Sequence, residues 1–460
     1  MKKKTIYIVI ELKVREIVAK LLFSYYASLR GYRIYLGSRE KIIDLINDKK
    51  EKGGIFFYKA GLQIVRTKKI SKKIDKHIVL DEEMTAGLNE ERYYKSAKAF
   101  FPETKKYIDA YFYVNSKIAK IVAKTIKAKN VYGVGWPRVD LFQKKFSKIY
   151  DSDIKKIKDK HGKFYLFMSD LGFITKNYRE YALEYTPWGG NKKDIEEWKN
   201  FSIAKAKNAV EEFNLLINFF IEICSKNPKI KILIRGHPAE NVKEWKKRIK
   251  GYKNLIYLPP IDDPQPWIMA SKGVLHRGCS TSLQSYVLKK SIAYVKLNFT
   301  SRYSPFLKRK PFDISYKIFN VSDFFKWIKI KKNNNLNLVK KDLNLYNSKT
   351  SCEKILDIID KFNIKKENNY IFKQNKTTIR EYFLFYFNEL KRMIYFLLVI
   401  SKILKRNIDK FYLTSKIPNG ITKKEATKYL RKIDLRVKNV KSKLKVSEIS
   451  EDLIKIEMIK

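Results

Sequence analysis

The sequence predicts an α/β protein made of two consecutive doubly wound units, each a parallel sheet with helices on both faces. Three observations predict it. Short apolar runs recur over roughly residues 5–300. They alternate with stretches whose apolar residues fall at helical spacing, the pattern of βαβ units. The alternation also restarts after a Lys-rich connector at residues 144–163.

The elements follow in order. Residues 5–10 read as the first strand, and residues 14–30 as a helix ending at Gly31, a stop signal. Residues 33–36 form a second strand and 40–46 a helix. Gly53 and Gly54 precede a strand at 55–58. Residues 77–80 form a fourth strand that runs into Asp81-Glu82-Glu83. Strands at 110–114 and 131–134 flank a helix at 117–128, and Gly135-Trp-Pro-Arg-Val-Asp140 closes the unit. In the second unit, strands fall at 164–168, 231–234, 254–258, 273–276 and 292–295, with a polar insertion to about residue 193 and a long helix at 194–225. The expected units are 1–150 and 151–330, both Rossmann-like, facing a cleft. Past the polar break at 331–335, residues 331–460 read as a basic, mostly helical extension. Within it, residues 382–404 place aromatic and aliphatic runs on either side of a charged interruption, a pattern suited to an interfacial helix or to one docked on the main body.

Composition narrows the function. The chain has 460 residues, 45% of them hydrophobic and 14% aromatic, enough for real cores. Lys and Arg number 99 against 47 acidic residues, a formal charge of +52. Compositional drift explains part of this excess. Attraction to an acidic surface is the functional alternative, with anionic lipid the better candidate. No nucleic-acid-binding motif is present, so nucleic acid is not expected as a partner. Cys224, Cys279 and Cys352 are far apart and odd in number, which excludes a disulfide framework and a zinc site and fits a reducing cytoplasm. The run at 6–10 is too short for a signal peptide, and no stretch reaches about 18 apolar residues, so no transmembrane helix is expected.

Ligands of doubly wound sheets bind beyond the carboxyl ends of the strands, so the residues there carry the candidate chemistry. Arg235-Gly-His-Pro238 follows a strand and precedes a helical stretch, where unsatisfied N–H groups favour an anion. Arg235, His237 and Pro238 therefore suit a phosphate, with His237 able to donate a proton as a nucleotide departs. An ordinary βα loop is the competing reading. His276-Arg-Gly-Cys-Ser-Thr-Ser282 ends another strand; Gly278 permits close approach, and Ser280, Thr281 and Ser282 stand where a helix starts, as an anion cradle or as plain helix caps. In the first unit, Asp81 and Glu82 are candidates for nucleophile or general base. Glu11, Arg15 and Glu16 follow the first strand in the same way. His77 and His161 read as structural.

These stretches, taken in order, resemble the bacterial surface carbohydrate biosynthesis protein family, itself similar to capsule and lipopolysaccharide transferases that use CMP-activated Kdo. The resemblance rests on Arg15-Glu16, Leu36-Gly-Ser-Arg39, Leu80-Asp-Glu-Glu83, Gly135-Trp-Pro-Arg-Val-Asp140, Arg235-Gly-His-Pro238 and His276-Arg-Gly-Cys-Ser-Thr281. It implies a GT-B fold, a CMP-linked 3-deoxy-2-keto sugar acid as donor, phosphate binding by His237 and a catalytic carboxylate near Asp81-Glu82. It also brings Arg138 to the cleft and Gln284 to the donor site. Two departures stand out: Trp136 replaces the family's Asn, and Gln284 replaces a frequent acidic residue that holds ribose. The resulting expectation is a cytoplasmic glycosyltransferase with no cofactor and no metal, acting on a glycan or lipid-linked glycan, with peripheral attachment to the inner membrane face through the extension. A CDP-polyol-dependent polyol-phosphate transferase and a non-catalytic binding protein of the same fold are the alternatives.

Overall fold

The computed structural model describes residues 2–59, 64–82, 105–171, 192–237, 240, 242–297, 309–330, 334–345, 348–368, 420–437 and 444–459. Six strands open the chain: β1 (Thr5–Ile10), β2 (Arg33–Ser38), β3 (Ile55–Tyr58), β4 (Lys76–Leu80), β5 (Ala110–Tyr113) and β6 (Val131–Gly133). The next six are β7 (Tyr165–Met168), β8 (Ile232–Arg235), β9 (Leu255–Leu258), β10 (Gly273–His276), β11 (Ser291–Val295) and β12 (Tyr316–Ile318). The last two, β13 (Leu444–Ser450) and β14 (Leu453–Met458), close it.

These strands form two sheets. The first runs β13-β14-β2-β1-β3-β4-β5-β6 and the second β12-β11-β10-β7-β8-β9. Within each six-strand run every pairing is parallel. The fold is thus the two-unit α/β arrangement of the GT-B class, with helices in the C-terminal region. Parallel strands covered on both faces need apolar residues at every position, and all six residues of β1 are buried. Each fully buried Ile or Val there contributes on the order of 1.5–3 kcal/mol. In each sheet the first strand is central and its neighbours lead away in opposite directions. The switch points therefore lie between β1 and β3 and between β7 and β10, and they are where such sheets open a crevice.

The region after residue 330 folds back onto the first unit. Helix Ser351–Ile359 starts with a capping box between Thr350 and Glu353. Its first turn is held by Asp140, which accepts from Ser351 Oγ (3.0 Å) and Cys352 N (3.2 Å). Helix Lys423–Val437 lies along helix Lys13–Leu29. Lys13 Nζ is 2.7 Å from Glu425, and the Tyr25 hydroxyl donates to Asp434 at 2.7 Å. The extension is not helical to its end: β14 adds antiparallel to β2, and β13 pairs with β14. Gly37 permits that addition, since a Cβ there would lie 2.7 Å from the Asp452 carbonyl oxygen. The 382–404 segment lies outside the described residues. Among those described, no helix is long and apolar enough to cross a membrane.

Candidate functional site

At the β1/β3 switch point the first unit assembles alternating charges. Helix Lys13–Leu29 begins just past β1 with no side-chain cap from Leu12. Glu16 serves its N-terminus instead: the carboxylate accepts from Glu11 N (3.0 Å) and Leu12 N (3.1 Å). Lys20, one turn on, lies 3.1 Å from Glu16 and donates to the Val9 carbonyl oxygen at 2.6 Å. Lys59, at the end of β3, is 2.6 Å from Glu11 and 3.8 Å from Glu16, and Arg39 is 3.8 Å from Glu11. Lys20 also reaches Glu82 at 3.9 Å. The result is a continuous chain of opposite charges from Glu82, one residue past β4's continuation, outward to Arg39.

Glu82 is the best-placed acid–base group of this unit. Trp136 Nε1 donates to its Oε1 at 3.0 Å. Burial raises its pKa; Lys20 opposes the rise, Glu16 adds to it, and the Trp136 hydrogen bond opposes it. Asp81 has a different place: it is buried, and its backbone N donates to the Phe112 carbonyl oxygen at 3.0 Å, extending the β4–β5 ladder. Glu83 lies outside the described residues.

In the second unit Arg235 is turned to structure. It is buried and pairs with Asp262 at 2.6 Å, tying the end of β8 to the loop after β9. Asp262 also accepts from Trp267 Nε1 at 2.9 Å. Gly236 is required, because a Cβ there would fall 1.8 Å from the Tyr257 hydroxyl. His237 is half-buried. Its carbonyl oxygen accepts from Glu240 N at 2.9 Å. Pro238 lies outside the described residues. His276 is fully buried: Nδ1 accepts from Gly278 N (3.0 Å), which makes Nε2 the donor to Ser315 Oγ (2.9 Å). It therefore shapes the loop from within, where Gly278 takes φ +99°. Ser282 is also buried and donates to the Cys279 carbonyl oxygen at 2.7 Å. Ser280 and Thr281 are half-buried and remain at the loop's surface.

The two units meet through Arg138 and Gln284. With its amide turned to satisfy both partners, the Gln284 oxygen accepts from Arg138 Nε (3.0 Å) and Nη2 (3.3 Å). The guanidinium also lies 5.7 Å from the Trp136 ring centroid. Burial lowers the Arg138 pKa, Asp263 counters this, and Arg15 lowers it further. Beside it the Tyr150 hydroxyl donates to Asp263 at 3.0 Å, with Asp263 capping helix Pro264–Ala270. Glu82, Trp136, Arg138 and Gln284 thus form one polar seam from the first unit into the second.

The structure brings in groups that sequence reasoning missed. Arg277, at the β7/β10 switch point, pairs with Asp170 at 3.2 Å and with Glu212. Glu240 is buried and accepts from Leu171 N (2.8 Å) and Trp245 Nε1 (2.9 Å). Apart from Trp245, their partners are distant in sequence, so no spacing announces them. His77 and His161, read as structural, are both buried. His77 packs on Phe56 and burial lowers its pKa to about 3, while His161 packs on Trp267.

No family model matches the chain, and no curated protein matches it in sequence. Among solved structures, it is similar to a UDP-N-acetylglucosamine 2-epimerase from Neisseria meningitidis bound to UDP-GlcNAc, at 12% identity over 79% of this chain and 100% of that one, with TM-score 0.46. A second is a putative UDP-N-acetylglucosamine 2-epimerase from Listeria monocytogenes, at 10% identity over 78% and 96%, with TM-score 0.45. A third is the wall teichoic acid polymerase TagF, at 11% identity over 78% and 88%, with TM-score 0.47. Likeness at this level leaves the chain's activity to be argued from its own residues.

Proposed function

We propose that this protein transfers a glycosyl group from a nucleotide-activated donor to a surface glycan, with Glu82 as the general base. The observation that carries the reading is the placement of Glu82: a carboxyl group with a raised pKa, at the carboxyl end of its sheet, beside the Arg138–Gln284 contact between units. A base is most effective when its pKa lies near the operating pH.

The loops support a reading with two halves of the reaction. A phosphate on a Rossmann-like unit usually sits at the turn after the first strand. Among the described residues, backbone N–H groups at those turns are already taken, Glu11 and Leu12 by Glu16 in the first unit and Leu171 by Glu240 in the second. The donor phosphate accordingly goes to the loops after β8 and β10, against His237, Ser280 and Thr281. Glu82 takes the proton of the acceptor hydroxyl as its oxygen bonds to the anomeric carbon. The bond to the nucleotide phosphate breaks, and His237 stabilises the departing anion. Arg235, His276, Gly278 and Ser282 hold those loops in shape, and Gln284 contributes through Arg138.

The resemblance in the sequence favours a CMP-linked 3-deoxy-2-keto sugar acid, such as Kdo or a nonulosonate. A thermal-shift screen with CMP, CDP, UDP and GDP tests it, since a ligand at 100 times its Kd stabilises by about 2.7 kcal/mol. CMP should stabilise most. Preference for UDP or GDP would sink the cytidine assignment, and turnover of a CDP-polyol in place of a CMP-sugar would convert the reading to polyol-phosphate transfer. We also propose peripheral attachment to anionic membrane through residues 382–404. Binding to anionic liposomes at low salt should be lost when Lys391, Arg392, Lys402, Lys405 and Arg406 are replaced by Gln, and when salt is raised.

A further inference from the structure

We infer that Glu240 is the positioning residue of the donor loop, fixing the turn that carries His237 by pinning it to the loop after β7. The inference rests on His237 as the donor-phosphate ligand for its functional meaning, and on the geometry of Glu240 for its physical content.

The Glu240 backbone N donates to the His237 carbonyl oxygen at 2.9 Å, so the two residues close one turn. The carboxylate is then held from three directions. Oε1 accepts from Ser169 Oγ at 2.5 Å and from Leu171 N at 2.8 Å, and Oε2 accepts from Trp245 Nε1 at 2.9 Å. Ser169 in turn donates its backbone N to the Arg235 carbonyl oxygen at 3.0 Å, two residues before His237. Glu240 is 4% exposed and Trp245 is fully buried, so these bonds lie out of competition with water. Trp245 is itself fixed, edge-on to Phe213 and stacked on Tyr257. A buried carboxylate adds little net stability over an apolar side chain of the same volume. What it adds here is a defined position: the turn at His237 is tied to a strand end on one side and to a rigid indole on the other. The His237 carbonyl oxygen is thereby held by a residue whose own side chain is fixed on three donors.

The test is a double-mutant cycle of E240Q and H237A with CMP as the probe, read by calorimetry. It is joined to NMR of protein labelled with 13C-histidine. The chain has only 4 histidines, so His237 is assigned by its loss in H237A. At pH 8, where the Glu240 carboxyl is ionised, E240Q should weaken CMP by about tenfold or more, the scale of one buried charged hydrogen bond. The loss should vanish in the H237A background, and only the His237 resonance should move, with His77, His161 and His276 unchanged. Trp245→Phe, which keeps the packing and removes one donor, should shift the same resonance in a smaller degree. The inference is overturned if E240Q leaves the His237 resonance in place, or if its effect on CMP persists in full without His237. If H237A binds CMP like wild type while E240Q still displaces the His237 resonance, the donor-site reading fails and the positioning role stands.

Discussion

The two Rossmann-like units share a topology and differ in what fills the same place. Each has a glutamate carboxylate accepting backbone N–H after its first strand, two groups in the first unit and one in the second. In the first unit that glutamate is Glu16, on the helix just beyond the turn, and it belongs to an array with Lys20, Lys59, Glu11 and Glu82. In the second it is Glu240, 69 residues from its Leu171 partner, surrounded by Ser169 and Trp245. The first unit therefore concentrates paired charges. The second concentrates neutral donors around one buried carboxylate, Glu240. The proposed function divides this one architecture into an acid–base half and an anion-binding half, and that division can be broken experimentally.

The largest effect should come from exchanging the two halves' central groups. Glu82→Gln keeps the side chain's shape and removes its basicity, so turnover should fall by about 10²–10⁴-fold, with CMP affinity unchanged. His237→Ala should instead weaken CMP by roughly 1.5–3 kcal/mol through loss of a charge-assisted hydrogen bond. Steady-state kinetics with calorimetry reads both. If Glu82→Gln weakens CMP as much as it slows turnover, the division of labour is wrong.

The next effect concerns the filled turns. Glu16→Gln leaves one oxygen to accept where two accept now, and takes the partner charge from Lys20. It should lower stability by roughly 1.5–3 kcal/mol, the scale for hydrogen bonds to a charged group. The guanidinium unfolding midpoint measures it. An unchanged midpoint would mean that the array around Glu16 is solvent-like, and its likeness to Glu240 only formal.

The same contrast explains what the sequence reveals. The strands at 5–10, 55–58 and 273–276 are readable because burial on both faces leaves uninterrupted apolar runs. β12 is not: its three residues are largely half-buried, and the run carries no contrast. β13 and β14 alternate along Leu444–Ser450 and Leu453–Met458, a strand signature obscured by the Lys-rich, helical stretch before it. In the site, Glu82 and His237 are visible as polar residues next to strand ends. His276 is visible for the same reason, yet it faces inward, because nothing local tells which way a ring turns. Arg138 and Gln284 meet across the two units, and Glu240 meets Ser169 across two loops. Such pairs exist only once the chain is folded.

A smaller effect is a pH dependence of stability. Burial raises the pKa of Glu240 to about 7, and burial raises that of Asp140 to about 6. Both folded values lie above those of the unfolded chain, so the folded protein holds these protons more tightly. The associated stabilisation is present in full below the unfolded carboxyl range and is lost as pH rises through about 6 and then about 7. The Tm should fall between pH 5 and pH 8 for this reason, and Glu240→Gln should flatten the upper part of that fall. A slope identical in wild type and variant would show that Glu240 does not titrate in this window.

The smallest effect is the most discriminating, because it acts on the seam itself. Trp136 stands where the resembling family has an Asn, and its indole N–H donates to Glu82. That bond favours the ionised carboxyl and so opposes the rise that burial causes. Trp136→Phe keeps an aromatic ring under the Arg138 guanidinium and removes only the donor. The Glu82 pKa should then rise further. A general base works when deprotonated, so the ascending limb of the kcat/KM–pH profile should move to higher pH, with its plateau little changed. CMP affinity should not follow, since the proposed donor loops lie in the other unit. A profile that stays in place would remove Glu82 from the rate-determining protonation. A shift accompanied by weakened CMP would show that the seam transmits between the halves and that the two units do not act independently.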